Sequence, residues 1–384
     1  MSEGNGHNRM PAGMVETHLP YLVETGPPLV RPRRRPLWPA LILFLLTVVS
    51  TLAVGAEFAQ SYAQDREPFS GDQDPLSMMS LPFRHPAELA LGIPFSFTLL
   101  LILFAHEMGH YVACKIHGID VSYPYFIPAP TLFGTFGAVI RIRSPIGTRR
   151  ALFDVGLSGP VAGFVFALPA LAMGVALSRI VPGAEENAAI VFGHPPLLRL
   201  LGTLFHPHVD VSWVLLDPVG RAAWMGLLVT ALNLLPMWQL DGGHILFSLT
   251  SRWHRTISLS VALALIALGR LSTLWYFWGG ILFLLTLRFR HPPVYDHWQP
   301  LGPKRRAWAV VAVLVFLLCF TPWPARENPA QSGGVDRSGD GYQRLTGSTS
   351  TMTPVGGISR EAQKSSAAAR AFPSMARRGD FTTN

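Results

Sequence analysis

The sequence predicts an all-α polytopic membrane protein with about seven transmembrane helices, a three-helix core that holds its polar motifs, and a short membrane-associated hairpin. Three observations carry this expectation. Hydrophobic residues make up 49% of the 384 and charged residues only 14%, against about 25% charged in soluble proteins. The apolar residues gather into blocks, several of them long enough to cross a hydrocarbon layer of about 30 Å. Lys and Arg also alternate in density from one side of those blocks to the other.

Residues 1–36 are polar and rich in Pro and Gly, and read as a disordered tail ending in Arg31, Arg33, Arg34 and Arg35. Leu37–Ala56 is an uncharged block expected to act as an uncleaved signal anchor, since no cleavable signal peptide is visible before it. A polar stretch at 57–86 carries Asp65, Glu67, Asp72 and Asp74. The second block, about Ala87–Cys114, contains His106-Glu107-Met108-Gly109-His110. A Pro/aromatic run (Tyr123–Pro130) and an alternating run (Ala138–Arg143) lead to the third block, about Ala151–Leu177. After a loop to Gly220, the fourth block covers Ala222 to about Leu240 and runs into Asp241-Gly242-Gly243. Ile257–Leu271, Leu274–Leu287 and Ala307–Phe320 complete a transmembrane domain over 37–323. From 324 onward the chain is rich in Ser, Gly, Arg and Thr and reads as a second disordered tail.

With the N-terminus in the cytosol, the inner segments hold most of the basic residues, among them Arg31–Arg35, Lys115, Arg141, Arg143, Arg149, Arg150 and Lys304–Arg306. The outer loops hold only Arg66, Arg84, Arg179, Arg199 and Arg221. The short pair 257–271 and 274–287 is read as two crossings, because a basic segment follows it. The net charge of +8 thus marks topology and anionic lipid, with no nucleic-acid partner expected. A bacterial inner membrane fits this pattern best. The two cysteines, Cys114 and Cys319, exclude a disulfide framework and read as apolar filler.

A charged Glu in an apolar helix is costly: insertion scales give about 2.5–3.5 kcal/mol for Asp, Lys or Arg at a helix centre. Glu107 therefore marks function. His106 and His110 are four apart, so both imidazoles leave one helix face. They suit two corners of a tetrahedral zinc site, with one zinc per chain, and Glu107 stands beside it as a proton acceptor and donor. A third ligand is needed, and Asp241 is the candidate. Blocks two and four both run from outside to inside and end with their motifs at similar depth, in the cytosolic half of the membrane.

Asn233 is polar within an apolar helix. It can hydrogen-bond a substrate backbone or an oxyanion, or simply a neighbouring helix. Pro236 is expected to bend its helix. Gly159 and Gly163 read as a close-packing pair, Asp154 as a complement to its helix N-terminus, and His244 as a surface residue or one behind the metal. His206 and His208 form a loop pair without further ligands nearby. Gly134–Arg143 is expected to form a hairpin or re-entrant strand that holds a substrate extended beside the site, since a helical peptide bond is shielded from attack.

These motifs resemble the site-2 protease family of intramembrane zinc metalloproteases. His106–His110 matches His-Glu-x-x-His, and Asn233–Gly242 matches Asn-x-x-Pro-x-x-x-Leu-Asp-Gly at every fixed position. Gly156–Gly163 resembles the family's intervening glycine motif. Phe136-Gly137-Ala138, with the prolines before it, is similar to the plant chloroplast and related bacterial branch. The resemblance covers about 85–250. It implies a catalytic core there, zinc, and cleavage of transmembrane protein substrates within the bilayer, often in signalling. The rival readings are a non-proteolytic zinc-binding or transport protein and a catalytically silent scaffold. Few polar residues lie elsewhere in the helices, and Glu107 and all three ligands are present, so both rank below the protease. Oligomeric state is not legible.

Overall fold

The structure, a computed structural model, describes residues 36–69, 84–186, 188–296 and 300–328. The expected tails at 1–35 and 329–384, and Asp72 and Asp74, lie outside the described residues. The described chain is mostly helical. Three helical segments are long and apolar enough to cross a membrane: Trp38–Ala63, Pro86–Ile116 and Arg149–Ala176. They correspond to the first three sequence blocks, the second opening with a 3-10 turn over Pro86–Gly92.

Helix α1 is Trp38–Ala63, α2 is Ile93–Ile116 and α3 is Arg149–Ala176. The Thr148 side chain caps α3 by accepting from the Ala151 N–H at 3.1 Å. Helices α2 and α3 approach very closely: a Cβ on Gly109 would sit 2.4 Å from the Ser158 carbonyl oxygen. A short α4 (Pro196–Phe205) precedes α5 (Pro218–Asn233), which is capped by Asp217 through the Gly220 N–H at 2.8 Å. Helices α2, α3 and α5 surround the main core, in which Leu99, Phe153, Leu171 and Leu227 are buried.

The fourth block differs from expectation. No single helix runs to Leu240. Helix α5 ends at Asn233, residues 234–240 are non-helical, and α6 begins at Asp241 and ends at Leu249. Pro236 has no N–H for the carbonyl one turn back and its ring clashes there. Trp238 then takes a left-handed φ of 49°. Asp241 is therefore the first residue of a new helix, where an anionic side chain is favoured by the helix dipole.

Helices α7 (His254–Leu268) and α8 (Thr273–Arg288) form an antiparallel pair, followed by α9 (Gly302–Cys319). At one end His254 packs on Phe247 of α6. At the other, Ser272 in the α7–α8 turn hydrogen-bonds the Ala325 carbonyl. The pair thus runs from the α6 end of the molecule to the opposite end and back. Small two-stranded sheets cover that opposite end: β3 (Arg179–Ile180) pairs with β5 (Val214–Leu215), and β4 (Ile190–Phe192) with β6 (Ala325–Glu327). Strand β6 shows that ordered chain continues past 324, where the sequence reading began a tail. Its backbone pairs with β4, so polar composition there does not mean disorder.

Between α2 and α3 lies a hairpin, β1 (Tyr125–Pro128) and β2 (Thr135–Val139), with a register shift opposite Gly137 at φ 98°. Its tip rests against the middle of α1: Ser50 Oγ donates to the Gly134 carbonyl at 2.6 Å. The strand expected within Gly134–Arg143 is thus present as β2, in a hairpin whose tip packs against the centre of a candidate span.

Candidate metal centre

Helix periodicity puts His106 and His110 on the face of α2 that meets α3 and the start of α6. His106 Nε2 lies 3.1 Å from His110 Nε2 and 3.1 Å from Asp241 Oδ2, and His110 Nε2 lies 3.3 Å from the same oxygen. All three side chains are largely buried, with exposures of 5%, 8% and 14%. His110 Nδ1–H donates to the Val155 carbonyl at 2.7 Å, so its neutral ring turns a lone pair toward the cluster. Two ring nitrogens and a carboxylate oxygen packed this tightly can share one cation. Tetrahedral bonds of about 2.0–2.1 Å put neighbouring ligand atoms about 3.3 Å apart, which matches these separations. The donor set of two imidazoles and one carboxylate is that of a catalytic zinc.

The glycines of α3 form the floor of the site. A Cβ on Gly159 would fall 2.1 Å from His110 Nε2, and one on Gly163 would fall 3.2 Å from His106 Nδ1. Their packing role is thus directed at the two imidazoles themselves. Gly242 and Gly243 serve the same purpose for Asp241: added Cβ atoms would lie 2.1 Å from the Leu234 carbonyl oxygen and 2.4 Å from that of Met237. The broken segment wraps around these glycines and turns the carboxylate inward.

Residues 94–275 match peptidase family M50. The matched segment is similar to that family and contains both His106–His110 and Asn233–Gly242. Over 298 residues the chain is 30% identical to a probable zinc metalloprotease EGY1, chloroplastic, of Oryza sativa subsp. japonica, covering 74% of this chain and 50% of that protein. The corresponding EGY1 of Arabidopsis thaliana is 30% identical over 293 residues, covering 74% and 52%. A probable zinc metalloprotease EGY2, chloroplastic, of the same plant is 29% identical over 243 residues, covering 61% and 42%. The chain spans about half the length of the curated relatives it matches. No solved structure matches.

Within the M50 segment, Glu107 is buried beside the cluster, and its carboxylate accepts the backbone N–H of Ile140. That residue directly follows β2, so the hairpin reaches Glu107. Asn233, the last residue of α5, places Nδ2 3.3 Å from His106 Nε2. All five residues singled out in the sequence therefore come together.

Other expectations change. Asp154 is bound in a fork by Arg305 (2.8 and 2.7 Å) and by His117 (2.9 Å), tying α2, α3 and α9 together away from the metal ligands. His206 Nε2 bonds the Val175 carbonyl at 2.8 Å and thereby caps the end of α3. His244 Nδ1 lies 2.9 Å from His291 Nε2, behind Asp241. Cys114 is fully buried in an apolar cluster, as a filler would be.

Sequence reasoning missed three supports. The Val155 carbonyl and the Ile140 N–H are backbone groups, to which side-chain identity gives no clue. The third is α7, whose buried His254 packs against Phe247 of α6, while Ser258 Oγ accepts the Trp238 N–H at 3.2 Å. Two polar residues one turn apart on an apolar helix were the available sign.

Proposed function

We propose that this chain is an intramembrane zinc metalloprotease that hydrolyses peptide bonds within or near transmembrane segments of membrane proteins. The observation that carries the reading is the meeting of His106, His110 and Asp241 at tetrahedral spacing, with a buried glutamate beside them and a strand edge leading to that glutamate. His106, His110 and Asp241 would hold the zinc, which when bound supplies a Lewis acid that polarises the scissile carbonyl and acidifies water. Glu107, its carboxylate steadied by the Ile140 N–H, takes a proton from the attacking water and returns it to the leaving amine. The Asn233 carboxamide donates to the carbonyl oxygen as negative charge develops there. Among the described residues β2 pairs only with β1, so its other edge is free to bind an extended substrate strand.

Seven crossings are proposed: α1, α2, α3, α5, α7, α8 and α9. The N-terminus would be cytosolic and the centre would lie in the cytosolic half of a bacterial inner membrane. The basic residues near the α6 end support this orientation. The deciding experiment is Glu107→Gln in proteoliposomes holding a transmembrane substrate. Zinc content by mass spectrometry should remain at one per chain, while cleavage falls by about 10²–10⁴-fold. Full cleavage by this variant would overturn the mechanism. Cleavage absent from the wild type under all conditions would favour a non-proteolytic zinc protein.

A further inference from the structure

A cavity of about 410 Å³ lies between α2, α5, β2 and α8. Asn233 stands in its wall, as does the Thr135–Gly137 stretch of β2. The remaining wall is almost entirely apolar, with Val229 and Leu232 on α5 and Phe277 and Trp278 on α8. Val229 is four residues before Asn233, so the two share one face of α5. We propose that this cavity is the specificity pocket of the protease, receiving a large apolar side chain of the substrate next to the scissile bond, with Val229 and Trp278 setting its size. The proposal rests on the proteolytic reading above and names the side-chain class it selects.

Three observations converge on that occupant. First, the pocket shares Asn233 with the metal centre and β2 with the free strand edge, so a chain laid along the strand passes its mouth. Successive side chains of an extended peptide point to opposite faces, so every second side chain of that peptide is available to the pocket. Second, the volume falls within the roughly 300–1,000 Å³ typical of pockets that bury small ligands, ample for a Leu, Phe or Trp side chain. Third, the wall offers few hydrogen-bonding groups, so a charged or strongly polar side chain would lose its water without replacement. An apolar pocket of this kind discriminates by about 10–200-fold per missing methylene.

The test uses the full chain in proteoliposomes and one transmembrane substrate whose cleavage position has been located by mass spectrometry. Residues flanking the scissile bond are varied one at a time through Ala, Leu, Phe, Trp and Lys. At one of these positions the wild type should prefer Leu or Phe over Ala by about tenfold or more in kcat/KM, and should reject Lys. Val229→Phe, which fills the pocket, should invert that ranking toward Ala. Trp278→Ala, which enlarges it, should favour Trp. Val229→Leu carries the same filling test if the larger residue prevents insertion. Active, zinc-loaded variants with the wild-type ranking would overturn the pocket alone and point to a lipid as the occupant. If the zinc-loaded wild type cleaves no transmembrane substrate, so that no position can be located, the proteolytic reading itself falls, and the pocket with it.

Discussion

Gly159 shows how narrowly single residues constrain the site. Its missing side chain is the space occupied by the His110 ring, and a Cβ would lie 2.1 Å from Nε2. Gly159→Ala should displace that ligand, and lost ligand orientation typically costs about 10–100-fold in metal affinity. Competition with a chelator, read as zinc retained per chain, checks this. Normal retention would mean that the helix can shift to make room. His291 makes a different, pH-dependent contribution from the loop after α8. Its ring stacks on Phe247 at 4.0 Å and bonds His244. Burial, and then the adjacent His244 and His254 rings, hold its imidazole down to about 4, from an ordinary 6.5. It is therefore neutral in the folded protein at a pH where the unfolded chain already takes a proton. Its contribution to stability is complete above about pH 6.5 and is lost as pH falls toward about 4. Thermal unfolding of wild type and His291→Phe at pH 7.5 and 4.5 should show a smaller acid shift in the variant. Equal shifts would mean that His291 is not the responsible group.

At the scale of elements, the β1–β2 hairpin and the break after α5 do most to shape the site. Strand β2 offers a free edge and ends beside Ile140, whose N–H serves Glu107. Val139→Pro removes a strand N–H and fixes φ. It should lower cleavage of a transmembrane substrate at least tenfold while leaving zinc content unchanged. Undiminished cleavage at normal expression would exclude strand pairing. The break after α5 explains why Asp241 can reach α2. A continuous helix would carry the carboxylate onward along its own axis, whereas Pro236 and the left-handed Trp238 turn the chain back. Pro236 was visible in the sequence, but a proline can either kink or end a helix. In the break the Trp238 N–H is taken up by Ser258 Oγ of α7, a partner that no local pattern names.

At the scale of the whole molecule, the two ends are locked differently. At the end where α3 begins, Arg305 and His117 close on Asp154. At the opposite end, Arg221 forms a buried ion pair with Glu67, both about 5% exposed, with the Phe192 ring 5.0 Å from the guanidinium. This pair fastens the segment after α1 to the start of α5. Arg221→Ala would leave the buried carboxylate without its guanidinium and should destabilise the fold by about 3–5 kcal/mol. Replacing both, as Glu67→Leu with Arg221→Met, should cost much less, as measured by reversible unfolding in detergent. Equal losses for the single and double variants would mean that the pair matters only through packing.

The sequence by itself determined the mostly helical class, the first three apolar blocks and the five polar residues that the fold brings together. The bilayer forbids unpaired polar groups, so each polar residue placed in an apolar helix stands out against its background. The His106–His110 spacing also follows from helix geometry alone. Tertiary structure decided what no local pattern encodes. The Val155 carbonyl orients His110, an N–H after β2 steadies Glu107, and the α3 glycines seat both imidazoles. Asp241 opens a helix where the sequence suggested that it ended one. Asp154, His206 and His244 found partners that the sequence did not name, in Arg305, the Val175 carbonyl and His291. Each of these depends on backbone atoms or on residues far apart in the chain, whose meeting is set by packing rather than by periodicity.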